Sequence, residues 1–413
     1  MNGWTLLRRN IIHRKSLSLL TITAVAITVF LFVILLLVRE GIERGAEKGY
    51  GPFEVVVGAD GSESQLVLNT FYRAGTPTGN IPFSVMESIQ QEQDVEVAFG
   101  LTVGDNYNGF PIVGIDPAYF PTRYQDRKLR DGKLYSSLGE VTIGYYVAKE
   151  LHLRIGDEFY GAHGILGQGG EQLAAEEHEA ESEQASGEEH PDEHVSFSYL
   201  VTGILPKLNT SDDRAIFTTM DYAWAVHQLE HDADKEVTAV IIKPNSLLAT
   251  QSLKQKYDQL DNVQAVYTSK AVADILNMVD TGTELMTFVM AICVLLAAVT
   301  MVLSLTAAVQ ERKKDVGLLR LIGKSKSYIL LNLVGEGVLL TALGLVLGIL
   351  LGHLGGWALT DSLFTRTGIH IASGHFATGE ATLLVVALAI GAAAAVIPAL
   401  RIYRVDALSL FKQ

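Results

Sequence analysis

Residues 17–38, LSLLTITAVAITVFLFVILLLV, run without a single charge. A helix rises 1.5 Å per residue, so about 20 such residues cross the ~30 Å hydrocarbon layer of a bilayer. Three further stretches are comparably apolar: Leu285–Val309, Tyr328–Leu351, whose one charge is Glu336, and Ala381–Leu400. The chain has 413 residues, of which 48% are hydrophobic, and that content is concentrated in these four places. A secretory leader is a poor reading of the first stretch: no small-residue cleavage pattern follows it, and the next residues are Arg39 and Glu40. It reads as a retained anchor. Cys293, the only cysteine, lies in an apolar span, which excludes an intrachain disulfide and a cysteine-rich metal site.

Charge orients these spans. Arg8, Arg9, Arg14 and Lys15 precede the first; Arg312, Lys313, Lys314, Arg320, Lys324 and Lys326 lie between the second and third; Arg401, Arg404 and Lys412 follow the fourth. Lys and Arg in short segments favour the cytoplasmic side. Both termini are therefore expected in the cytoplasm and the long acidic segment 39–284 outside it. The net charge of −14 averages these two populations and says little by itself.

Segment 39–284 alternates short β-type runs with helical ones. FEVVVG (53–58), VEVAFGLTVG (95–104), FPIVGI (110–115), YLVTGILP (199–206), VTAVIIKP (237–244) and VQAVYTS (263–269) are rich in β-branched residues and bounded by turn formers. IPFSVMESIQQEQ (81–93) and NSLLATQSLKQKYDQL (245–260) carry apolar residues at helical spacing, the latter with Asn245 as the expected cap. Residues 161–194, rich in Glu, Gly, Ser and Ala and lacking aromatics, lack the apolar surface to offset the entropy of ordering, and read as a mobile insertion. KAVADILNMVDTGTE (270–284) leads into the second span with only Gly282 as a potential breaker, which predicts one helix running from the domain into the span.

Between spans two and three, ERKKDVGLLRLIGKSKSYI (311–329) interleaves Val316, Leu318, Leu319, Leu321 and Ile322 with Arg312, Lys313, Arg320 and Lys324. That pattern suits a short amphipathic helix at the inner membrane surface. Simple anchoring of the spans at lipid headgroups also accounts for the charges. The segment resembles the signature of the FtsX-like permease family, membrane subunits of MacB-like (type VII) ABC transport systems. Glu311, Arg312, Gly317, Leu319, Arg320 and Gly323 match directly; Asp315 stands where the family commonly has Glu, and Ile322 where it has a small or β-branched residue. Three further segments resemble the family: WTLLRRNIIHRKSLSLLTITAVAITV (4–29) as its entry, IGYYVAKELHLRIGDEFY (143–160) with its turn at Gly156 and Asp157, and IPALRIYRVDALSLF (397–411) as its ending.

The fold class that follows is an α-helical membrane protein with four transmembrane helices and a large mixed α/β extracytoplasmic domain inserted between helices 1 and 2. The expected divisions are 1–38 (amphipathic entry and first span), 39–284 (external domain), 285–309 (second span), 310–327 (cytoplasmic coupling segment), 328–352 (third span), 353–380 (short external loop), 381–400 (fourth span) and 401–413 (cytoplasmic tail). The resemblance implies a dimer, with itself or a related permease, seated on separate ABC ATP-binding subunits in the bacterial cytoplasmic membrane. It also implies that Glu311, Arg312, Lys313, Lys314, Asp315, Gly317, Leu318, Leu319, Arg320, Gly323 and Lys324 form the ATPase-coupling segment. An adaptor or an extracytoplasmic lipoprotein is a further possible partner, beside membrane lipid; nucleic acid is not expected.

No G-x-x-x-x-G-K-[ST] phosphate cradle occurs in the chain, and the look-alike GKS at 323–325 lacks the upstream glycine. ATP and Mg²⁺ are therefore expected in the partner, and this chain is expected to bind no cofactor and to be no enzyme itself. His163, His178, His190, His194, His227 and His231 are candidate metal ligands, since imidazoles among carboxylates suit Zn²⁺; a merely solvated acidic loop is the competing reading. Gly344, Gly348 and Gly352 form a repeated small-xxx-small face that permits close helix approach, either sliding or permanently packed. Glu336 is the one acidic residue well inside a span and is expected to serve packing. Export or extraction of a hydrophobic, peptide or lipoprotein substrate is the leading function. Mechanotransmitting control of an extracytoplasmic enzyme or sensor is one alternative, and metal handling another.

Overall fold

The computed structural model describes residues 15–125, 127–163, 198–226, 235–311, 323–368, 370–371 and 373–403. Residues 1–14 of the expected entry, the 164–194 part of the expected insertion, most of the coupling segment and residues 404–413 of the expected tail lie outside them. Among the described residues four helices are long and apolar enough to cross a membrane: α1 (Lys15–Gly49), α8 (Thr268–Glu311), α9 (Lys326–Thr367) and α10 (Glu380–Tyr403). A mixed α/β domain lies between the first and second of these in sequence.

That domain runs β1 (Val55–Ala59), α2 (Glu63–Tyr72), β2 (Ile81–Pro82), α3 (Phe83–Gln90), β3 (Val95–Tyr107), β4 (Phe110–Gly114), α4 (Tyr119–Tyr124), β5 (Asp131–Gly132), β6 (Glu140–Ile143) and α5 (Tyr145–Glu150). It continues through β7 (Glu158–Tyr160), β8 (Ala162–His163), β9 (Ser198–Ile204), a 3₁₀ turn at Ser211–Arg214, β10 (Ile216–Thr218), α6 (Asp221–Val226), β11 (Glu236–Val237), β12 (Ala239–Pro244), α7 (Leu247–Tyr257) and β13 (Val263–Tyr267). Then follow α8 (Thr268–Glu311), α9 (Lys326–Thr367) and α10 (Glu380–Tyr403).

The main sheet has the order β13-β1-β12-β3-β4-β10-β6-β9-β5, with β7 paired to β9 and β8 to β3. Its central strands are apolar at successive positions because both faces are covered. Val56 and Ile241 point into one core with Leu66, Phe71 and Tyr119, whereas Val55, Val57, Val240 and Ile242 point into another with Met86, Leu253 and Tyr257. The register slips between Val103 and Asp105. The bulge lets the long strand β3 serve β12 with its first half and β4 with its second.

Two sequence expectations differ from the structure. Ser246, not Asn245, caps α7: its hydroxyl accepts from the Ala249 amide, while the Asn245 side chain donates to the Gln93 carbonyl at 2.7 Å. The shorter hydroxyl reaches the free amide of the first turn, and Asn245 is drawn off by the preceding loop. The 353–380 segment, expected as a loop, is helical as far as Thr367. Gly355 and Gly356 stay within the helix, which stops only at Gly368, where the backbone takes φ +75 and the amide donates to the Phe364 carbonyl at 2.8 Å. This is a glycine helix stop, in a backbone region where a side chain is strained.

The residues group into two compact units, one of Met1–Ile42, Val279–Asp361 and Ile371–Gln413, the other of Glu43–Met278 and Ser362–His370. In the first, the glycine face of α9 packs on α1. A Cβ on Gly344 would lie 2.7 Å from Val25 Cβ, on Gly348 2.7 Å from the Ala26 carbonyl oxygen, and on Gly352 2.6 Å from a Val33 methyl. Gly337 and Gly391 admit similar closeness to Ala395 and Thr341. Glu336 is buried in this unit, 3% exposed.

Candidate functional site

The coupling segment is described only at its flanks. Glu311 ends α8, and Gly323 takes φ +89. Ser325 then starts α9 by accepting the Tyr328 amide at 3.2 Å, and the Lys324 ammonium sits 4.9 Å from the centre of the Tyr328 ring. Arg312, Lys313, Lys314, Asp315, Gly317, Leu318, Leu319 and Arg320 lie outside the described residues. So do His178, His190, His194, His227 and His231. The backbone of His163 is in β8, paired opposite Asp105. Among the described residues no group of three or more His, Cys, Asp or Glu is placed to hold a metal ion.

What sequence reading missed is a buried ionic centre in the second unit. The run Ser211-Asp212-Asp213-Arg214 reads as an ordinary polar turn, yet all four residues are buried. Asp212 Oδ1 accepts from Arg73 Nη2 at 3.1 Å, and Oδ2 accepts from Arg123 Nη1 at 3.0 Å and from the hydroxyls of Tyr119 and Tyr124, each at 2.7 Å. Arg123 and Tyr119 stand four apart on α4 and so share a face. Arg73 is the left-handed stop of α2. Burial pushes the Asp212 carboxyl up, but Arg123, Arg73 and the two hydroxyls outweigh it and leave it below the usual carboxylate range.

This centre fastens helix ends. The second guanidinium nitrogen of Arg123 donates to the Gly49 carbonyl at the end of α1, the Tyr72 hydroxyl donates to the Ala46 carbonyl at 2.8 Å, and Ser211 donates to the Phe71 carbonyl. A cation on the last carbonyls of a helix also suits its dipole. Ala271 and Val272 of α8 lie in the core that holds Tyr119 and Phe71. From α9, Phe364 packs on Tyr146 with ring centres 4.5 Å apart, and a Cβ on Gly368 would come within 3.3 Å of Arg214 Nη1. Burial lowers Arg214 to about 10.

Asp213 behaves oppositely to its neighbour. It accepts the amides of Leu208 and Asn209, but burial outweighs these and raises it to about 6. A raised carboxyl favours the folded state when protonated, so the contribution is complete below its unfolded value near 3.9 and is lost as pH rises through about 6. Asp213→Asn, which mimics the protonated form, is expected to flatten the fall in stability between pH 4 and 6. Thermal unfolding of the two proteins across that range checks it; parallel curves would refute the assignment.

The FtsX-like permease C-terminal family model matches residues 287–407, and the MacB-like periplasmic core domain model matches residues 18–260. Among solved structures, the extracellular domain of the noncanonic ABC-type transporter YknZ from Gram-positive bacteria is similar at 10% identity and a TM-score of 0.31, over 51% of this chain and 98% of that one. A search among curated proteins finds no match.

Proposed function

The chain belongs to the FtsX-like permease family, with a MacB-like periplasmic core domain ahead of its permease region, and from that premise we propose that it is the transmembrane subunit of an ATP-driven ABC complex in the bacterial cytoplasmic membrane. ATP is hydrolysed by a separate subunit, and movement passes through the long helices to the α/β domain. The matches to both models in this order carry the reading. The position of the basic residues supports cytoplasmic termini and an extracytoplasmic domain.

Within the second unit, Arg123 and Tyr72 hold the end of α1, Ala271 and Val272 seat the start of α8 in the core of Tyr119 and Phe71, and Phe364 packs the end of α9 on Tyr146. That is the arrangement a domain needs if helix displacement is to be felt by the sheet instead of being absorbed in a loop. Export or extraction of a hydrophobic, peptide or lipoprotein substrate is the use we favour for this movement. The subunit works as a dimer, and residues 311–326 meet the ATP-binding partner, with Leu318 and Leu319 supplying apolar contact and the basic side chains meeting acidic groups.

Leu318→Asp with Leu319→Asp places two charges in that contact, where desolvation costs on the order of several kcal/mol. Loss of the ATP-binding subunit from the purified complex, with normal membrane insertion, is the expected outcome. Lys324→Ala is expected to cost about 1 kcal/mol or less. If the double variant inserts normally, keeps its partner at wild-type stoichiometry and alters ATP turnover as the wild type does, the segment is not the coupling element.

A further inference from the structure

In the first unit, the chain between α9 and α10 folds back over α9. The Thr360 hydroxyl donates to the Ile371 carbonyl at 3.1 Å, and Ile371 and Ala377 are buried. Gly356 makes room for the return: a Cβ there would lie 3.4 Å from Ser373 Cβ and 3.1 Å from a Leu37 methyl of α1. Two side chains then fasten the segment, His353 of α9 and Glu380 at the start of α10.

His353 Nδ1 lies 2.8 Å from the Ser373 carbonyl oxygen, and Nε2 lies 3.2 Å from Glu380 Oε2. The other carboxylate oxygen of Glu380 accepts the Ala377 amide at 2.8 Å, and the Glu380 side chain is 1% exposed. A carbonyl and a carboxylate only accept, whereas a neutral imidazole has one N–H and one lone pair. Both bonds form together only when the pair holds one proton more than a neutral histidine beside a carboxylate. The Ala377 amide and the N-terminus of α10 suit an anion at Glu380, which places that proton on the imidazole. Without it, one ring nitrogen turns a lone pair on an oxygen, and an enclosed carboxylate loses its cation.

The ring of Phe376, centred 5.7 Å from that of His353, brings no charge. Among the described residues, the charged groups on the neighbouring elements have partners of their own. His375 Nε2 lies 3.4 Å from Glu40 Oε1 of α1, and Arg39 pairs with Asp280 of α8 at 3.1 Å. Asp361 is eight residues further along α9, about 12 Å by helical rise. The His375–Glu40 contact is an ion pair only when the histidine is protonated, so it acts in the same direction.

We propose that His353 and Glu380 form a proton-held clasp, which fastens the 371–380 segment over α9 in acid and releases it as the pH rises. The closed form binds one proton more than the open form. Each pH unit above the imidazole's titration therefore shifts the balance toward opening by up to about tenfold. The clasp rests on this geometry and not on what the protein moves. With the topology proposed above it faces the extracytoplasmic side, so acidity there sets how firmly the segment is held.

A nitroxide on Gly374→Cys, in the Cys293→Ser full chain in nanodiscs, reads the mobility of the segment by electron paramagnetic resonance. A Cβ at Gly374 has no atom within 4 Å, so a side chain is accommodated there. The label is expected to be held at about pH 5 and loose at about pH 9, on either side of the ordinary imidazole value of ~6.5. Glu380→Gln separates the proton from mere packing. Its carboxamide oxygen still accepts the Ala377 amide and its NH₂ donates to a neutral Nε2, so the segment is expected to stay held at about pH 9. His353→Gln is expected to leave it loose at both pH values. His375→Gln, which removes the other pair, is expected to keep the parent's response. Equal mobility of the parent at both pH values, a Glu380→Gln variant that loosens as the parent does, or loss of the response in His375→Gln would each overturn the proposal.

Discussion

Asp212→Asn is expected to lower the unfolding midpoint of the α/β domain by roughly 6–20 °C, the largest effect of any single substitution considered for it. The change keeps the shape and removes one charge. Arg73 and Arg123 then remain as two guanidinium groups with side chains 1% exposed and no counter-ion. Breaking a buried pair by removing one partner costs about 3–5 kcal/mol, because the surviving charge is left uncompensated. In a domain of this size each kcal/mol moves the midpoint by about 2–4 °C.

Tyr119→Phe and Tyr124→Phe provide the graded comparison. Each deletes one hydroxyl donor to the carboxylate, worth about 1.5–3 kcal/mol for a hydrogen bond to a charged group. The acid limb is also affected. Asp212 lies below the usual carboxylate range, so the stability it contributes is present above its unfolded value near 3.9 and lost as pH falls beneath it. The Asn variant should lack that part of the acid transition. Thermal unfolding of the full chain from pH 2 to 8 measures both, and an Asn variant within about 1 kcal/mol of wild type would show that the centre does not hold the domain.

Gly348→Ala is expected to loosen α1 from α9, at a cost of about 1–3 kcal/mol from overpacking. The added methyl would meet the Ala26 carbonyl oxygen at 2.7 Å, and a backbone atom within a helix has no rotamer by which to yield. Gly344→Ala and Gly352→Ala meet side-chain atoms of Val25 and Val33 at similar distances, so the three replacements together should separate the helices. Gly282→Ala is the control. A Cβ there has no atom within 4 Å, and alanine improves helix propensity by about 1 kcal/mol, so α8 should be unchanged or steadier. Thermal stability in detergent, with cysteine cross-linking between α1 and α9 in a Cys293→Ser background, distinguishes the two sites. Equal behaviour of Gly348→Ala and Gly282→Ala would mean that the glycine face is not a close-packed one.

The spans and the class of the domain were legible because each depends on local pattern alone. Uncharged stretches of the length of 17–38 have few stable places outside a bilayer, and VEVAFGLTVG or VTAVIIKP carry the β-branched density of strands covered on both faces. The family resemblance rested on four segments, 4–29, 143–160, 311–329 and 397–411, each a run of residues adjacent in the chain, which is also why it could be quoted without knowing where any side chain points. Even the glycine face of α9 was visible as a four-residue repeat, though not the helix that fills it.

The ionic centre had no such signature. Arg73, Arg123 and Asp212 are separated by 139 and 89 positions from one another's partner, and each stands in a stretch that reads as a helix end or a turn. A charge is expected at the surface, and only the folded chain, by enclosing two guanidiniums and one carboxylate together, makes their burial affordable. The choice between Asn245 and Ser246 as a cap was of the same kind, settled by the Gln93 carbonyl from a distant turn. Sequence by itself determined which segments are apolar and which long runs are extended, because those follow from transfer free energy and local backbone preference. Tertiary structure alone decided which polar groups meet, because that depends on closing long loops whose ends carry no record of each other.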